Sequence, residues 1–213
     1  MVVDSTFKSK TAQKHPLAKQ GRLNEYAPDV FGLHMVIVML QWGNYRIPVD
    51  FEMVRRKDHP HYRSENALFR WMLVRFHRPS WAEMVVIVAD AAFASKATIK
   101  LIRQRGYFFV LAFARTWCFE NGQPLKDLVT HLPKKHYHRC WVPLEELGRR
   151  RTSWTYAKRA RLRHIGDVTI ILSKPRRNNG PKQTKILGTN LPEVTARQVV
   201  DVYRRRWAVE LLI

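Results

Sequence analysis

The order of the apolar segments constrains the fold of this chain most. Three long apolar runs, of the kind that forms buried strands, are "FGLHMVIVMLQW" (31–42), "MVVIVAD" (84–90) and "YFFVLAFAR" (107–115). The segments 64–79 and 95–106 carry apolar residues at helical spacing, and each begins at a serine suited to cap a helix. This alternation of strands and helices predicts an α/β fold with a mixed sheet flanked by helices.

The first quarter of the chain predicts a strand, a loop and a hairpin. "MVVD" is a short β-type run that ends at Asp4, and residues 5–30 are polar and basic, which is typical of a loop. Gly-Asn at 43–44 indicates a hairpin turn after the first long strand. The alternating segment 45–54 contains Pro48, which favours a position at the sheet edge because proline donates no ladder hydrogen bond.

The amino-acid composition of the chain changes after residue 115. From 116 to 190 the apolar runs are short, and residues 134–163 contain ten Lys and Arg against two acids. "KPRRNNGPK" (174–182) has the composition of a basic hairpin tip. We therefore expect a discontinuous core made of residues 1–115 and 191–213, interrupted by a basic, β-rich insertion subdomain at 116–190.

The charge of the chain predicts a polyanionic partner. The net charge is +21, from 38 Lys and Arg against 17 Asp and Glu, which points first to nucleic acid. A membrane surface is the weaker alternative, because no basic amphipathic helix stands apart from the core-forming segments. Cys118 and Cys140 lack C-x-x-C spacing, which argues against a disulfide framework or a zinc finger. With no signal-peptide pattern, we expect a cytoplasmic protein.

Two aspartates follow apolar runs directly. Asp4 and Asp90 would each lie at the carboxyl end of a buried strand, the end where ligands bind in mixed α/β sheets. If the two strands are parallel neighbours, the carboxylates share one cleft and repel each other unless a cation lies between them. Mg²⁺ and Mn²⁺ suit such oxygen ligands. Either aspartate can instead be a turn former or a helix N-cap.

A third acid lies on the last predicted helix, for which Thr195 is the expected N-cap. On that helix Tyr203, Arg206 and Glu210 fall at i, i+3 and i+7, which share one face. That face combines a carboxylate for a metal, a guanidinium for a phosphate and an aromatic hydroxyl. A surface ion pair is the alternative role for Glu210. Two further arginines can take neighbouring phosphates, namely Arg204 and Arg205.

The insertion supplies the other candidates for DNA contact. Its basic segment 148–163 carries side chains suited to phosphates or, alternatively, to an ordinary solvated face: Arg149, Arg150, Arg151, Lys158, Arg159, Arg161 and Arg163. Trp154 can stack on an unpaired base or pack within the subdomain. His136, His138 and Cys140 would share one face of a strand, but a basic strand with scattered histidines explains them better than a zinc site.

Four stretches together resemble one family. The spacing Tyr203-x2-Arg206-x3-Glu210 resembles the Y-x2-R-x3-E-x6-K signature of bacterial insertion-sequence transposases of the DDE type. The stretches "VVDST" around Asp4, "WGNYRIPVD" (42–50) and "VIVADAAFAS" (86–95) are similar to stretches of the same group. The resemblance covers the whole chain. It implies an RNase H-like core with a β-rich insertion between the second aspartate and the glutamate.

The resemblance also implies an activity. Asp4, Asp90 and Glu210 would form a catalytic triad that holds two Mg²⁺ or Mn²⁺ ions, while Tyr203 and Arg206 would contact transposon-end DNA. The partners would be double-stranded DNA at transposon ends and target, and a second copy of the chain in a nucleoid-associated DNA complex. The alternatives are a non-catalytic DNA-binding derivative and an RNase H-like nuclease.

The chain departs from the signature at one position. The signature lysine would fall seven residues after Glu210, beyond the last residue of this chain. No DNA-binding domain precedes Asp4 either. These features predict a truncated reading frame or a fragment.

Overall fold

The computed structural model describes residues 1–9, 17–21, 30–144 and 149–208. The chain forms two compact units. The first consists of Met1–Glu83 with Arg206–Ile213, and the second of Met84–Arg205. Each unit has its own strands and helices. None of the helices in the described ranges has the length and apolar character needed to cross a membrane.

In its described residues, the first unit is an antiparallel sheet with one α-helix. Its strands and helix are β1 (Val2–Ser9), β2 (Lys19–Gly21), β3 (Val30–Trp42), β4 (Tyr45–Met53) and α1 (Glu65–Arg75). Strand β3 is central, with β1 along one edge and both β2 and β4 along the other. Buried residues of β1 and β3 form the core together with the apolar side of α1, which includes Phe69 and Leu73.

The hairpin and the edge strand predicted from the sequence are confirmed. Gly43 begins the turn between β3 and β4 with a φ of 55°, a conformation that glycine adopts without strain. Within β4, the register shifts next to Pro48, so that Val38 lies opposite Asp50 and Met39 lies opposite Pro48. A bulge and a proline both hinder further strand pairing, as expected at an exposed edge.

The expected end of the first strand is wrong. Asp4 lies inside β1 rather than after it, because the strand continues to Ser9 and pairs residue by residue with β3 as far as Gly32. Thr6 and Phe7 suit a strand, and the long β3 supplies a ladder for them. The predicted loop at 5–30 is therefore partly strand, and its segments 10–16 and 22–29 lie outside the described residues.

Among its described residues, the second unit is a mixed six-stranded sheet with three α-helices. Its strands and helices are β5 (Val86–Ala89), α2 (Lys96–Gln104), β6 (Phe108–Ala112), α3 (Leu125–His131), β7 (His138–Leu144), β8 (Arg149–Leu162), β9 (Gly166–Lys174), β10 (Lys185–Thr189) and α4 (Ala196–Arg204). The described strand order is β5-β6-β10-β9-β8-β7. β5 and β6 are parallel, and the other pairs are antiparallel.

Local signals explain how the second unit begins. The Ser95 side chain accepts from the backbone N–H of Thr98 at 3.2 Å, which caps α2. Gly106 ends that helix with a φ of 68°. Strands β5 and β6 are apolar throughout and lie in the core, as a strand covered on both faces requires. The α/β class with a mixed sheet and flanking helices is confirmed.

The region 116–190 is rich in strands, as expected, and also contains the unpredicted helix α3. Its last strand, β10, pairs directly with β6, so this region continues the sheet of the second unit. The predicted boundaries of an insertion subdomain stay a prediction. The loop between β9 and β10 contains the expected basic segment, with a 3₁₀ turn at Pro181–Gln183.

The predicted last helix is shorter than expected. Thr195 caps α4 in a reciprocal arrangement with Gln198, as the sequence predicts. The α-helix ends at Arg204, however, and a 3₁₀ turn follows at Arg205–Ala208. The expectation of one continuous α-helix from Thr195 through Arg206 is therefore wrong, because the backbone tightens into a 3₁₀ turn after Arg204.

Candidate functional site

Asp4 is a buried carboxylate in the first unit. Asp4 is 8% exposed, and its Oδ1 accepts a hydrogen bond from the backbone N–H of Ser5 at 2.9 Å. Strand β1 positions it, since Asp4 lies opposite Ile37 in the ladder with β3. A buried charge requires a partner, and Asp4 therefore needs a cation close by.

Arg206 provides that cation. Its guanidinium donates to Oδ2 of Asp4, although 202 positions separate the two residues in sequence. Arg206 is itself only 8% exposed, so the ion pair is shielded from solvent on both sides. Sequence reasoning assigned both residues to the site but did not predict this contact. Arg206, which was expected to bind a DNA phosphate, thus contacts Asp4, which was expected to bind a metal ion.

Asp90 follows β5 directly in the second unit, as predicted. Its Oδ1 accepts from the backbone N–H of Ala92 at 2.7 Å, so the side chain does form a local turn. Its other carboxylate oxygen, Oδ2, has no hydrogen bond to any described residue. The turn therefore orients the carboxylate at the end of the strand and leaves one oxygen for another ligand.

The donor chemistry of the predicted triad suits a hard divalent cation. Asp4 and Asp90 both present carboxylate oxygens, which Mg²⁺ and Mn²⁺ prefer. Glu210 lies outside the described residues, and a pocket shared by the three acids stays a prediction. Among residues 1–9, 17–21, 30–144 and 149–208, no three His, Cys, Asp or Glu side chains are grouped to hold a metal. In particular, His136, His138 and Cys140 are not grouped to hold a metal.

A row of basic and aromatic side chains crosses three strands of the second unit. Arg139 on β7 lies opposite Trp154 on β8, which in turn lies opposite Lys174 on β9. Directly opposed residues in antiparallel strands project from the same face of a sheet. Trp141, two residues after Arg139, shares that face and is 44% exposed. We call Arg139, Trp141, Trp154 and Lys174 the basic–aromatic face.

Cations lie on the rings of this face. The guanidinium carbon of Arg139 is 4.2 Å from the ring centre of Trp141, and that of Arg177 is 5.5 Å from the ring centre of Trp154. Aromatic rings with adjacent positive charge can stack with bases and attract the phosphates beside them. Sequence reasoning identified Trp154 but missed its basic neighbours, because strand register brings them together.

Lys174 is a buried cation of this face, at 4% exposure. Its ammonium lies 3.8 Å from the ring centre of Tyr137 and donates to the backbone oxygen of Asn179 at 3.4 Å. Burial lowers the pKa of Lys174, and the positive charges of Lys134 and Arg177 lower it further. Burial raises the pKa of Tyr137. Positive charge is therefore concentrated here, which favours an anionic ligand.

The structure places most of the predicted phosphate contacts on strand β8 and just after it on the surface. The exposed ones are Arg151, Lys158, Arg159, Arg161 and Arg163. Lys158 and Arg159 are consecutive on a strand, so they project from opposite faces. Arg161 forms an exposed ion pair with Glu120 at 3.3 Å. The side chains of Arg149 and Arg150 lie outside the described part of the chain.

The candidates on α4 and just after it differ in accessibility. Tyr203 is buried, and the Lys185 ammonium lies 4.9 Å from its ring centre, so its ring packs within the second unit. Arg204 and Arg205 are half-buried, and Arg205 is 3.7 Å from Asp201 one helical turn earlier. A DNA role for these side chains stays a prediction.

Comparison with known proteins gives one family. A family model described as the transposase DDE domain matches residues 1–213. A cryo-EM structure of a piggyBac transposase synaptic complex with hairpin DNA is similar in fold, with a TM-score of 0.53 at 14% sequence identity. The match covers 99% of this chain but 38% of that transposase chain. No protein with curated annotation matches in sequence.

Proposed function

Because the chain belongs to the transposase DDE-domain family, we propose that it carries out metal-dependent DNA cleavage and strand transfer at the ends of an insertion sequence. The observation that carries this proposal is the position of Asp90. It directly follows a buried strand, with one oxygen held by a turn and the other without a described partner. The carboxyl end of a strand is where ligands bind in mixed α/β sheets.

We assign the chemistry to three acids. Asp4, Asp90 and Glu210 would hold two Mg²⁺ or Mn²⁺ ions, and these ions would supply activation of the attacking oxygen and stabilisation of the leaving oxygen in an in-line displacement. The contribution of this chain is to orient those carboxylates. The Ala92 amide fixes Asp90, and the Ser5 amide fixes Asp4. The family motif supplies the third position.

The basic surfaces of the chain would hold the DNA. The basic–aromatic face offers cations to phosphates and rings to bases, and the exposed side chains of β8 extend the positive surface. We propose duplex DNA at the insertion-sequence ends and at the target as substrate. A second copy of the chain would take part in the DNA complex, and a bacterial nucleoid is the corresponding cellular setting.

A strand-joining assay tests the proposal. The full chain is incubated with Mg²⁺, a duplex taken from the DNA that flanks its coding frame, and a target plasmid. We expect products in which a 3′-hydroxyl end of the duplex is joined to the plasmid. Asp90→Asn should abolish joining while it preserves DNA binding. Asp167→Asn, which changes an exposed acid of the same unit, is the matched control and should leave joining intact.

The same assay separates the alternatives. Cleavage without any joining would contradict strand transfer and favour an RNase H-like nuclease. DNA binding without cleavage, in both the original chain and Asp90→Asn, would contradict the catalytic assignment and favour a non-catalytic DNA-binding derivative. The occupation of Asp4 by Arg206 is the observation that favours this second candidate, since an ion-paired carboxylate cannot hold a metal in the same way.

A further inference from the structure

The two carboxylate oxygens of Asp4 are already engaged within the first unit. Oδ1 accepts the Ser5 amide at 2.9 Å, and Oδ2 accepts the guanidinium of Arg206. Both Asp4 and Arg206 are 8% exposed, so water does not weaken the pair as it weakens a surface ion pair. Arg206 therefore competes with any other cation for this carboxylate.

A metal ion and a guanidinium cannot both use the same oxygen without cost. Two positive charges a few ångströms apart repel each other strongly in a site that is shielded from water. A divalent cation that binds Asp4 must therefore displace Arg206 or pull it away from Oδ2. The displaced guanidinium then needs another anion, since a buried cation without a partner is unfavourable.

A DNA phosphate has the right chemistry to receive Arg206. The planar guanidinium donates two parallel hydrogen bonds to phosphate oxygens as readily as to a carboxylate. We propose that Arg206 withholds Asp4 from the metal in the DNA-free protein, and that a backbone phosphate releases Asp4 by binding the guanidinium. This inference rests on the proposed function and adds a regulatory contact to it: DNA and metal bind with positive coupling.

The coupling has a thermodynamic consequence. If DNA raises the affinity for the metal by some factor, the metal must raise the affinity for DNA by the same factor. Coupling factors between sites are commonly about fivefold to about a hundredfold. The physical effect would be to keep the chain from assembling its metal site away from DNA.

Manganese binding to the full chain tests the inference without any catalytic readout. We would measure the Mn²⁺ affinity by calorimetry, with and without a short duplex, for the original chain and for Arg206→Met. Without DNA, Arg206→Met should bind Mn²⁺ about tenfold more tightly. The duplex should tighten Mn²⁺ binding by a similar factor in the original chain, and by little in Arg206→Met.

Arg56→Met is the matched control. Arg56 forms an ion pair with Asp58 at 2.9 Å in the same unit, but on the surface. Its replacement should leave the Mn²⁺ affinity unchanged. If Arg206→Met folds too poorly to measure, Arg206→Lys answers the question. Its ammonium binds the carboxylate at a single point, and the gain in Mn²⁺ affinity should be smaller but in the same direction.

The outcomes distinguish this inference from the proposed function. Equal Mn²⁺ affinities for the original chain, Arg206→Lys and Arg206→Met would overturn the competition between Arg206 and the metal. With the duplex present, which should release Asp4 from Arg206, Asp4→Asn should weaken Mn²⁺ binding. If Asp4→Asn binds Mn²⁺ as the original chain does even with the duplex present, Asp4 is not a metal ligand, and the catalytic assignment fails together with the inference.

Discussion

Arg206 and Asp4, 202 positions apart, form a buried ion pair inside the first unit. The pair links the C-terminal end of the described chain to strand β1, which lies near the N-terminus. Removing one member leaves the other charged and buried. The stability of the chain therefore depends on the pair as a unit rather than on either residue alone.

A double-mutant cycle measures this dependence. Arg206→Met should lower the free energy of unfolding by about 3–5 kcal/mol, because the Asp4 carboxylate is left buried without its cation. Adding Asp4→Asn to Arg206→Met should recover part of that decrease, since no buried charge then remains. Urea unfolding of the two single variants and the double variant gives the coupling energy. Strictly additive effects would contradict a buried, mutually dependent pair.

The exposed cations of β8 should govern the salt dependence of DNA binding. Neutralising Lys158, Arg159 or Arg161 to Gln should lower the slope of log affinity against log salt by about 0.9 for each phosphate that the strand no longer neutralises. Titration of a fluorescent duplex at several salt concentrations gives the slope. Arg56→Gln, in the other unit, should not change it. Unchanged slopes for all three β8 variants would show that these three side chains do not bind phosphates.

Trp154 should matter more for single strands than for duplexes. It lies between Arg139 and Lys174 on adjacent strands, and its ring can stack on an unpaired base. Trp154→Ala should weaken binding of a single-stranded oligonucleotide by about 1–3 kcal/mol and should affect duplex binding less. Fluorescence anisotropy measures both affinities. Trp42→Ala, which changes an exposed tryptophan of the first unit, is the control. Equal decreases in affinity for the two DNA forms would contradict stacking.

Lys174 should give the second unit a pH-dependent stability. Burial and the neighbouring cations lower its pKa below the usual 10.5, so the unfolded chain binds the Lys174 proton more tightly than the folded chain does. The free energy of unfolding should therefore rise with pH between the lowered pKa and 10.5, and that gain should disappear as the pH falls. Lys174→Met should lack this rise.

Urea titrations of both proteins at several alkaline pH values below about 10 would check the Lys174 prediction. Tyr137, whose pKa is raised, keeps its proton in that range. The difference between the two proteins isolates Lys174. A difference that does not change with pH would show that the ammonium is equally charged in both states.

Local sequence signals predict much of the fold. The apolar runs that form β3, β5 and β6 and the serine caps of α1 and α2 can be identified because each signal lies within a few residues. The end of β1 cannot be identified from the sequence, because the length of β1 is set by its pairing with β3, which lies later in the chain. Similarly, the tight turn after α4 breaks a helical spacing that the sequence alone would continue.

The candidate site shows the same division. Asp90 follows a strand that is apolar in every position, so its place could be predicted. The basic–aromatic face depends on the register of three antiparallel strands, and Arg139 and Lys174 carry no local signal that joins them to Trp154. The contact between Asp4 and Arg206 is still less local. Sequence spacing can nominate such residues, but only the folded chain shows which of them touch.

Nicking of a supercoiled plasmid tests the central claim most directly. The original chain, Asp4→Asn, Asp90→Asn, Glu210→Gln and the control Asp167→Asn would be compared in Mg²⁺ and in EDTA. We predict that only the original chain and Asp167→Asn nick the plasmid, that EDTA abolishes the reaction, and that every one of these proteins still binds DNA. Nicking that persists at the original rate when any one of the three acids is replaced would contradict a shared metal-dependent function of Asp4, Asp90 and Glu210.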